Sequence, residues 1–166
     1  DLSHGIKIIR ELKKITKKYS QFDYAVKLQL RDDSFFHKDH IHRKDHKLIK
    51  RFTETRLGKD FIKLIKEIKK NGFISMCTPW DELATQYLID IKIDILKIAS
   101  CSFNDWYLLD STKKFKKKII ASTAGAKEIE IDKVYSFFRN QNKDFSFMHC
   151  VGEYPTPDEN LHLNQI

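Results

Sequence analysis

The chain is poor in residues that interrupt structure. Five glycines and three prolines in 166 residues leave little from which to build a flexible linker or a low-complexity segment, so one continuous domain is expected. Long apolar runs are missing as well. No stretch approaches the roughly 18 residues of a membrane span, and no charged, apolar, small-residue leader opens the sequence. The reading is therefore a cytoplasmic chain with no membrane partner. The three cysteines, Cys77, Cys101 and Cys150, are odd in number and each sits at or just past the end of an apolar run. They suit reduced thiols better than a disulfide framework. Absent too are a GxGxxG turn, a P-loop and a serine nucleophile elbow.

Positive charge is plentiful: the net charge is +8 and the pI about 9.3. Such a balance invites a nucleic-acid reading, but the lysines argue against it. Lys63, Lys66, Lys69 and Lys70 alternate with the stripe Phe61, Leu64, Ile65 and Ile68, the pattern of an amphipathic helix with a solvated outer face. Lys13, Lys14, Lys17 and Lys18 flank a second expected stripe, Ile8, Leu12, Ile15 and Tyr19. No nucleic-acid partner is expected. Lys27 and Lys97 differ, because each sits inside an apolar run.

Helix-like and strand-like segments alternate. A helix over about 5–19 leads to a strand over 24–30, then a polar stretch over about 31–57. A helix over 59–70 ends at Asn71-Gly72, a helix stop, before a strand over 73–77. Thr78-Pro79-Trp80-Asp81 reads as a loop and N-cap for a helix to about Asp90, and 93–98 is the next strand. Helices near 105–112 and 126–139 precede strands over 118–122 and 145–150. This rhythm predicts parallel strands joined by right-handed crossovers, and near-continuous apolar character at 73–76 and 93–98 suggests strands covered on both faces. A (β/α)8 TIM barrel and a doubly wound sheet both fit. The barrel is favoured because each of the five strand ends carries polar residues, whereas an open sheet concentrates its site at one switch point. Five strands are fewer than the eight a barrel needs, so the chain reads as about five βα units of a partial barrel over 1–166.

Those strand ends hold the candidate chemistry. In Tyr24 to Leu30, period-two alternation puts Lys27 and Gln29 on one face and Val26, Leu28 and Leu30 on the other. A lysine in a strand interior is costly to bury unless it meets an anion; the alternative is a lysine reaching solvent from an edge strand. Lys97 invites the same argument. Two lysines at one barrel mouth would bind an anionic substrate, with Thr78, Ser100 and Ser122 as neutral donors, or one of them would be a Schiff-base nucleophile. His149, at the last strand end, reads either as a ligand or acid/base group or as a satisfied structural histidine. Tyr154 sits in a loop pinned by Pro155 and Pro157 and is expected to be held. His37, His40, His42 and His46, interleaved with Asp39 and Asp45, match no tight zinc spacing.

Five landmarks together resemble the sialic acid synthases: Val26-Lys27-Leu28-Gln29, Cys77-Thr78-Pro79-Trp80, Leu96-Lys97-Ile98-Ala99-Ser100, Ile120-Ala121-Ser122-Thr123, and His149-Cys150 with Tyr154-Pro155-Thr156-Pro157. The segments 50–57 and 100–106 resemble a divergent branch of that family. The resemblance implies condensation of phosphoenolpyruvate with an N-acylated amino sugar, such as N-acetylmannosamine, to a nonulosonic acid with release of phosphate. It places Lys27, Thr78, Lys97, Ser100 and Ser122 on positions that bind phosphoenolpyruvate, and Gln29 and Tyr154 near the sugar. Catalytic roles fall to Lys27, Lys97, Gln29 and Tyr154, with the lysines as fixed charges rather than Schiff bases. Ser102 stands where the family often has an acidic residue against the sugar, and Gly152 where it often has asparagine, so the acceptor is open. The resemblance also implies a divalent metal, manganese or magnesium, that polarises the sugar aldehyde. Its ligands would lie on strands outside residues 1–166, so these residues alone are expected to be inactive. A homodimer is left open for the full-length form. A truncated or degenerate barrel that only binds an anion or partner is the competing reading.

Overall fold

The computed structural model describes residues 1–32 and 58–165. Helix α1 (Leu2–Thr16) starts at Asp1, whose side chain accepts the His4 backbone N–H at 2.9 Å and so satisfies a donor that a helix start leaves unpaired. The expected stripe on this helix is corrected. Ile8, Ile15 and Tyr19 are 47%, 59% and 52% exposed, and the buried residue is Ile9, flanked by Leu2, Ile6 and Leu12. Gly5 explains the rotation. A Cβ there would lie 2.8 Å from Leu64 Cδ1, so the helix turns its smallest residue and Ile9, one turn on, toward its neighbour.

Strand β1 (Ala25–Leu30) follows. After a 3-10 turn at Gly58–Asp60, helix α2 (Phe61–Lys70) buries Phe61, Leu64, Ile65 and Ile68 and exposes Lys63, Lys66, Lys69 and Lys70, as the spacing predicts. Full burial of each such apolar side chain stabilises by about 1.5–3 kcal/mol. The helix stops at Gly72, whose φ of 77° suits a residue without Cβ. Gly72→Ala is expected to cost about 1–2 kcal/mol, read as a lower urea midpoint at unchanged slope.

The remaining α-helices and strands of the described residues are β2 (Ile74–Pro79), α3 (Glu82–Asp90), β3 (Ile95–Ile98), α4 (Trp106–Ser111), β4 (Lys118–Ser122), α5 (Glu128–Asn140) and β5 (Phe145–Met148). Asp81 and Asp105 cap α3 and α4 by accepting the Ala84 and Leu108 N–H groups. Three strand boundaries differ from expectation by two residues. β2 runs on to Pro79 because it keeps pairing with β1, Gln29 opposite Thr78 and Leu30 opposite Pro79. β3 begins two residues late because the Ile93 N–H closes the end of α3 on Leu88 O, at 3.1 Å. β5 ends at Met148, before His149 and Cys150. The polar stretch lies, from residue 33 to 57, outside the described residues, and with it His37, His40, His42 and His46.

Among the described residues the five strands are all parallel and neighbour one another in chain order, β1-β2-β3-β4-β5. That order separates the two candidate architectures. A doubly wound sheet reverses direction at a switch point, whereas strands added always on the same side by right-handed crossovers stack every helix on one face and curve toward a barrel. The fold is α/β, a TIM barrel present in part. The helix-side face carries Leu28, Cys77, Leu96, Ile98, Ile119 and Ala121, which join helix residues such as Leu88, Val134 and Phe138 in the core. The other face is not covered as expected: Lys27 and Gln29 are exposed, and Met76, Ile95 and Ile120 are half-buried.

Candidate active site

Strand register decides which side chains share that open face. Gln29 stands opposite Thr78, Lys27 opposite Met76, and Lys97 opposite Ile120, while Ser122 is two residues beyond Ile120 on β4. With a side-chain period of two, Lys27, Gln29, Thr78, Lys97 and Ser122 all lie on the face away from the helices. Lys97, Ser122 and Thr78 are near the carboxyl ends of their strands, the edge where barrels carry chemistry. Ser100 sits at the same edge, in the 3-10 turn Ser100–Ser102 after β3.

Lys97 is the centre of this group. Its ammonium donates to the Ile98 carbonyl at 3.0 Å and to Ser122 Oγ. Ser122 is buried, and its hydroxyl points to Met148 Sδ at 3.8 Å. Burial lowers the Lys97 pKa from the usual lysine value; the Cys150 thiol opposes this and the Lys27 ammonium adds to it. Among the described residues, no carboxylate is prominent in setting this charge. Two cations therefore face one another across β2, and an anion is the species that would relieve them. Lys27 reaches solvent from β1, which lies at a sheet edge among the described residues, so its exposure fits either reading of a strand lysine.

The cysteines are free. Cys77 lies on the helix side, fully buried, and burial pushes its thiol up to about 12, against the pull of Lys27 and a hydrogen bond to the Thr78 backbone. A thiol reagent at pH 8 is expected to label exposed Cys101 and leave Cys77 untouched in the folded protein, as peptide mass mapping would show.

Other candidates do not join the group. Ser102 is buried, 7% exposed, and Tyr154 is 101% exposed. The loop around Tyr154 is tied by Thr156 Oγ1 donating to Glu153 O and by Asn160 donating to the Glu153 carboxylate, yet the phenol itself extends into water rather than being held. His149 Nε2 donates to Leu161 O at 2.9 Å, which is the satisfied structural histidine. Sequence reasoning passed over Arg31. It continues the alternation Lys27, Gln29 by one step, and its guanidinium lies over the Trp80 ring at 5.3 Å. Burial lowers its pKa, with Asp81 opposing. The same period of two that found Lys27 would have found it.

This fold has counterparts among known proteins. Residues 16–166 match the NeuB family. The chain belongs to the NeuB family. It is similar to a solved structure from Chromobacterium violaceum assigned to spore coat polysaccharide biosynthesis (protein E), with 46% identity and a TM-score of 0.93 over 99% of this chain and 49% of that one. It is similar also to the N-acetylneuraminic acid (sialic acid) synthetase of Leptospira borgpetersenii, solved with citrate, with 25% identity and a TM-score of 0.83 over 100% of this chain and 55% of that one. A third relative, the pseudaminic acid synthase of Campylobacter jejuni, is 29% identical over 104 residues, covering 62% of this chain and 30% of the relative. The chain thus spans about half the length of the two solved NeuB-like structures and less of the third.

The divalent metal implied by the sequence resemblance does not fit the described residues. Among them no group of three or more His, Cys, Asp or Glu side chains is placed to hold a metal ion.

Proposed function

We propose that the whole protein condenses phosphoenolpyruvate with an N-acylated amino sugar of the N-acetylmannosamine type, giving a nonulosonic acid and inorganic phosphate. The observation that carries this is that Lys27 and Lys97 share the open face, Lys97 near the strands' carboxyl edge and Lys27 one step below it, with no carboxylate prominent in setting the Lys97 charge among the described residues. Such a pair suits a substrate with both a phosphate and a carboxylate. Membership of NeuB and likeness to synthases of sialic and pseudaminic acids support a synthase of this kind.

In this reading Lys97 and Lys27 are fixed ammonium charges against the phosphate and carboxylate. Ser122, already accepting from Lys97, directs its own hydroxyl hydrogen to a substrate oxygen, and Thr78 and Ser100 supply further donors. The methylene carbon of phosphoenolpyruvate forms the new bond to the sugar aldehyde carbon, whose oxygen takes up a proton. Water adds to the resulting cationic carbon and loses a proton, and phosphate leaves with cleavage of the C–O bond. Gln29 and Tyr154 are assigned to the sugar. Ser102 keeps that assignment only if the turn after β3 opens, since its side chain is buried. Manganese or magnesium belongs to this reading of the whole protein, with ligands outside the described residues.

The test is phosphate release from phosphoenolpyruvate by the full-length protein, offered N-acetylmannosamine and related amino sugars with and without manganese. Release that depends on a sugar is expected. None with any sugar would overturn the proposal.

A further inference from the structure

The two ends of the sheet differ in charge. Because all strands are parallel, the helix-to-strand connections gather at the end opposite Lys97. The sequence spreads its lysines over outer helix faces, but the fold collects many of them at this end. Part of the collection has a local cause. Lysine near a helix C-terminus complements the helix dipole, and several cations are paired: Lys69 and Lys117 with Asp94, Lys113 with Asp110, Lys118 with Asp144.

Others have no such carboxylate partner among the described residues. Lys18 lies past the end of α1, Lys92 past α3, and Lys114 and Lys116 in the α4–β4 connection. All are exposed and, among the described residues, none forms an ion pair. The end of α2 and the α3–β3 and α4–β4 connections are tied together, because Lys69 and Lys117 both donate to the Lys92 carbonyl, at 2.8 and 3.3 Å, and the α1–β1 connection lies at the same end of the parallel sheet. At one corner stand exposed apolar groups that a solvated coat does not need: Phe22 is 61% exposed and Tyr19 52%. They flank Lys17 and Lys18, and Phe22, Lys13, Lys17 and Ser20 line part of an open cleft of about 230 Å³.

We propose that this end of the protein docks on a bilayer containing anionic phospholipid, with Phe22 and Tyr19 entering the headgroup region and Lys17, Lys18, Lys114 and Lys116 meeting the lipid phosphates. Aromatic side chains beside a polybasic surface are the combination that holds a protein on such a membrane. The cations are lysines, point charges suited to a diffuse anionic surface rather than to bidentate reading of bases. The aromatics cluster at one corner instead of interleaving with the lysines as a stacking platform for nucleic acid would. Docking needs no spanning segment, and among the described residues no helix is long and apolar enough to cross a membrane. It revises the expectation of no membrane partner, and it leaves the carboxyl-edge site facing away from the lipid. The proposal does not rest on the synthase reading.

The experiment is co-sedimentation of the full-length protein with vesicles of phosphatidylcholine alone and of phosphatidylcholine mixed with phosphatidylglycerol. Binding to the mixed vesicles only, weakened by salt, is expected. The variant Lys17→Gln/Lys18→Gln/Lys114→Gln/Lys116→Gln should lower partitioning by about fivefold for each lysine removed. Phe22→Ser should lower it separately, with circular dichroism and phosphate release unchanged in both. Equal binding to both vesicle types, binding to neither, or full binding by both variants would overturn the proposal. Tighter binding to duplex DNA than to the mixed vesicles would overturn it in favour of nucleic acid.

Discussion

Lys97→Ala is expected to lower phosphoenolpyruvate-dependent phosphate release by about 10²–10³-fold while leaving the protein at least as stable as its parent. The two halves of the expectation have one cause. In the free protein the Lys97 ammonium is half-buried, faces the charge of Lys27, and is held by one carbonyl and one hydroxyl, neither of which neutralises it. Holding a desolvated charge beside another of like sign costs stability, so its removal relieves the empty site. With phosphoenolpyruvate bound the balance reverses, because the phosphate supplies the missing opposite charge in a partly dry setting where it counts most. A site built for function at the expense of stability behaves this way. Lys97→Met, which keeps the volume of the stem, separates charge from packing and should match alanine in activity. Phosphate release and a thermal midpoint measured on the same preparations check both halves. Activity retained in either variant would remove Lys97 from the site. A borohydride-trapped adduct on Lys97 would replace the fixed charge with a Schiff base.

Most of the site was legible because strands obey a strict period. Once Tyr24 to Leu30 is taken as a strand, the faces of Lys27 and Gln29 follow, and the parallel register then carries Thr78, Lys97 and Ser122 to the same face without further information. What escaped depends on tertiary contact. Residues 2–16 carry two stripes of helical spacing, Leu2, Ile6, Ile9 and Leu12 and the expected one through Ile8 and Ile15, and what chooses the first is the tertiary contact of Leu64 with Gly5. Tyr154 illustrates the opposite limit: its prolines restrict the backbone, but backbone restriction does not give a side chain a surface to pack on. The βα rhythm is common to two architectures, since strand order is fixed by long-range pairing, and it was the polar residues at every strand end that favoured the barrel. The edges of β2 and β3 moved for a related reason, since they end where neighbouring strands and helix turns stop pairing, not where the apolar run stops.

The second large effect lies at the far end of the sheet. Asp94 precedes β3, and its carboxylate accepts from Ser75 Oγ at 2.5 Å, Ser75 N–H at 3.2 Å, Lys117 Nζ at 2.7 Å and Lys69 Nζ at 3.2 Å. One side chain thereby joins the start of β2, the end of α2 and the connection into β4. Burial by itself would raise its pKa, but Lys117, the Ser75 hydroxyl and N–H, and Lys69 outweigh burial and hold it well below the usual carboxylate range. Asp94→Asn is expected to cost about 2 kcal/mol at pH 7, less than the sum of four charge-assisted bonds because the side chain is 30% exposed and partly screened. The sign with pH follows from the depressed folded-state value. The carboxylate's contribution is complete above the unfolded-chain pKa of about 3.9, and it declines as pH falls below that, because the unfolded chain binds the proton first. Urea unfolding of parent and variant between pH 7 and pH 3 should therefore give a difference that is constant down to about pH 4 and narrows below it. A difference that persists unchanged to pH 3 would mean that the asparagine fails through packing and not through lost charge. Since Asp94 lies at the end of the sheet opposite Lys97, the folded variant should keep the parent's KM for phosphoenolpyruvate. A changed KM would show that the two ends of the sheet are coupled, and the stability of this network would then bear on catalysis as well.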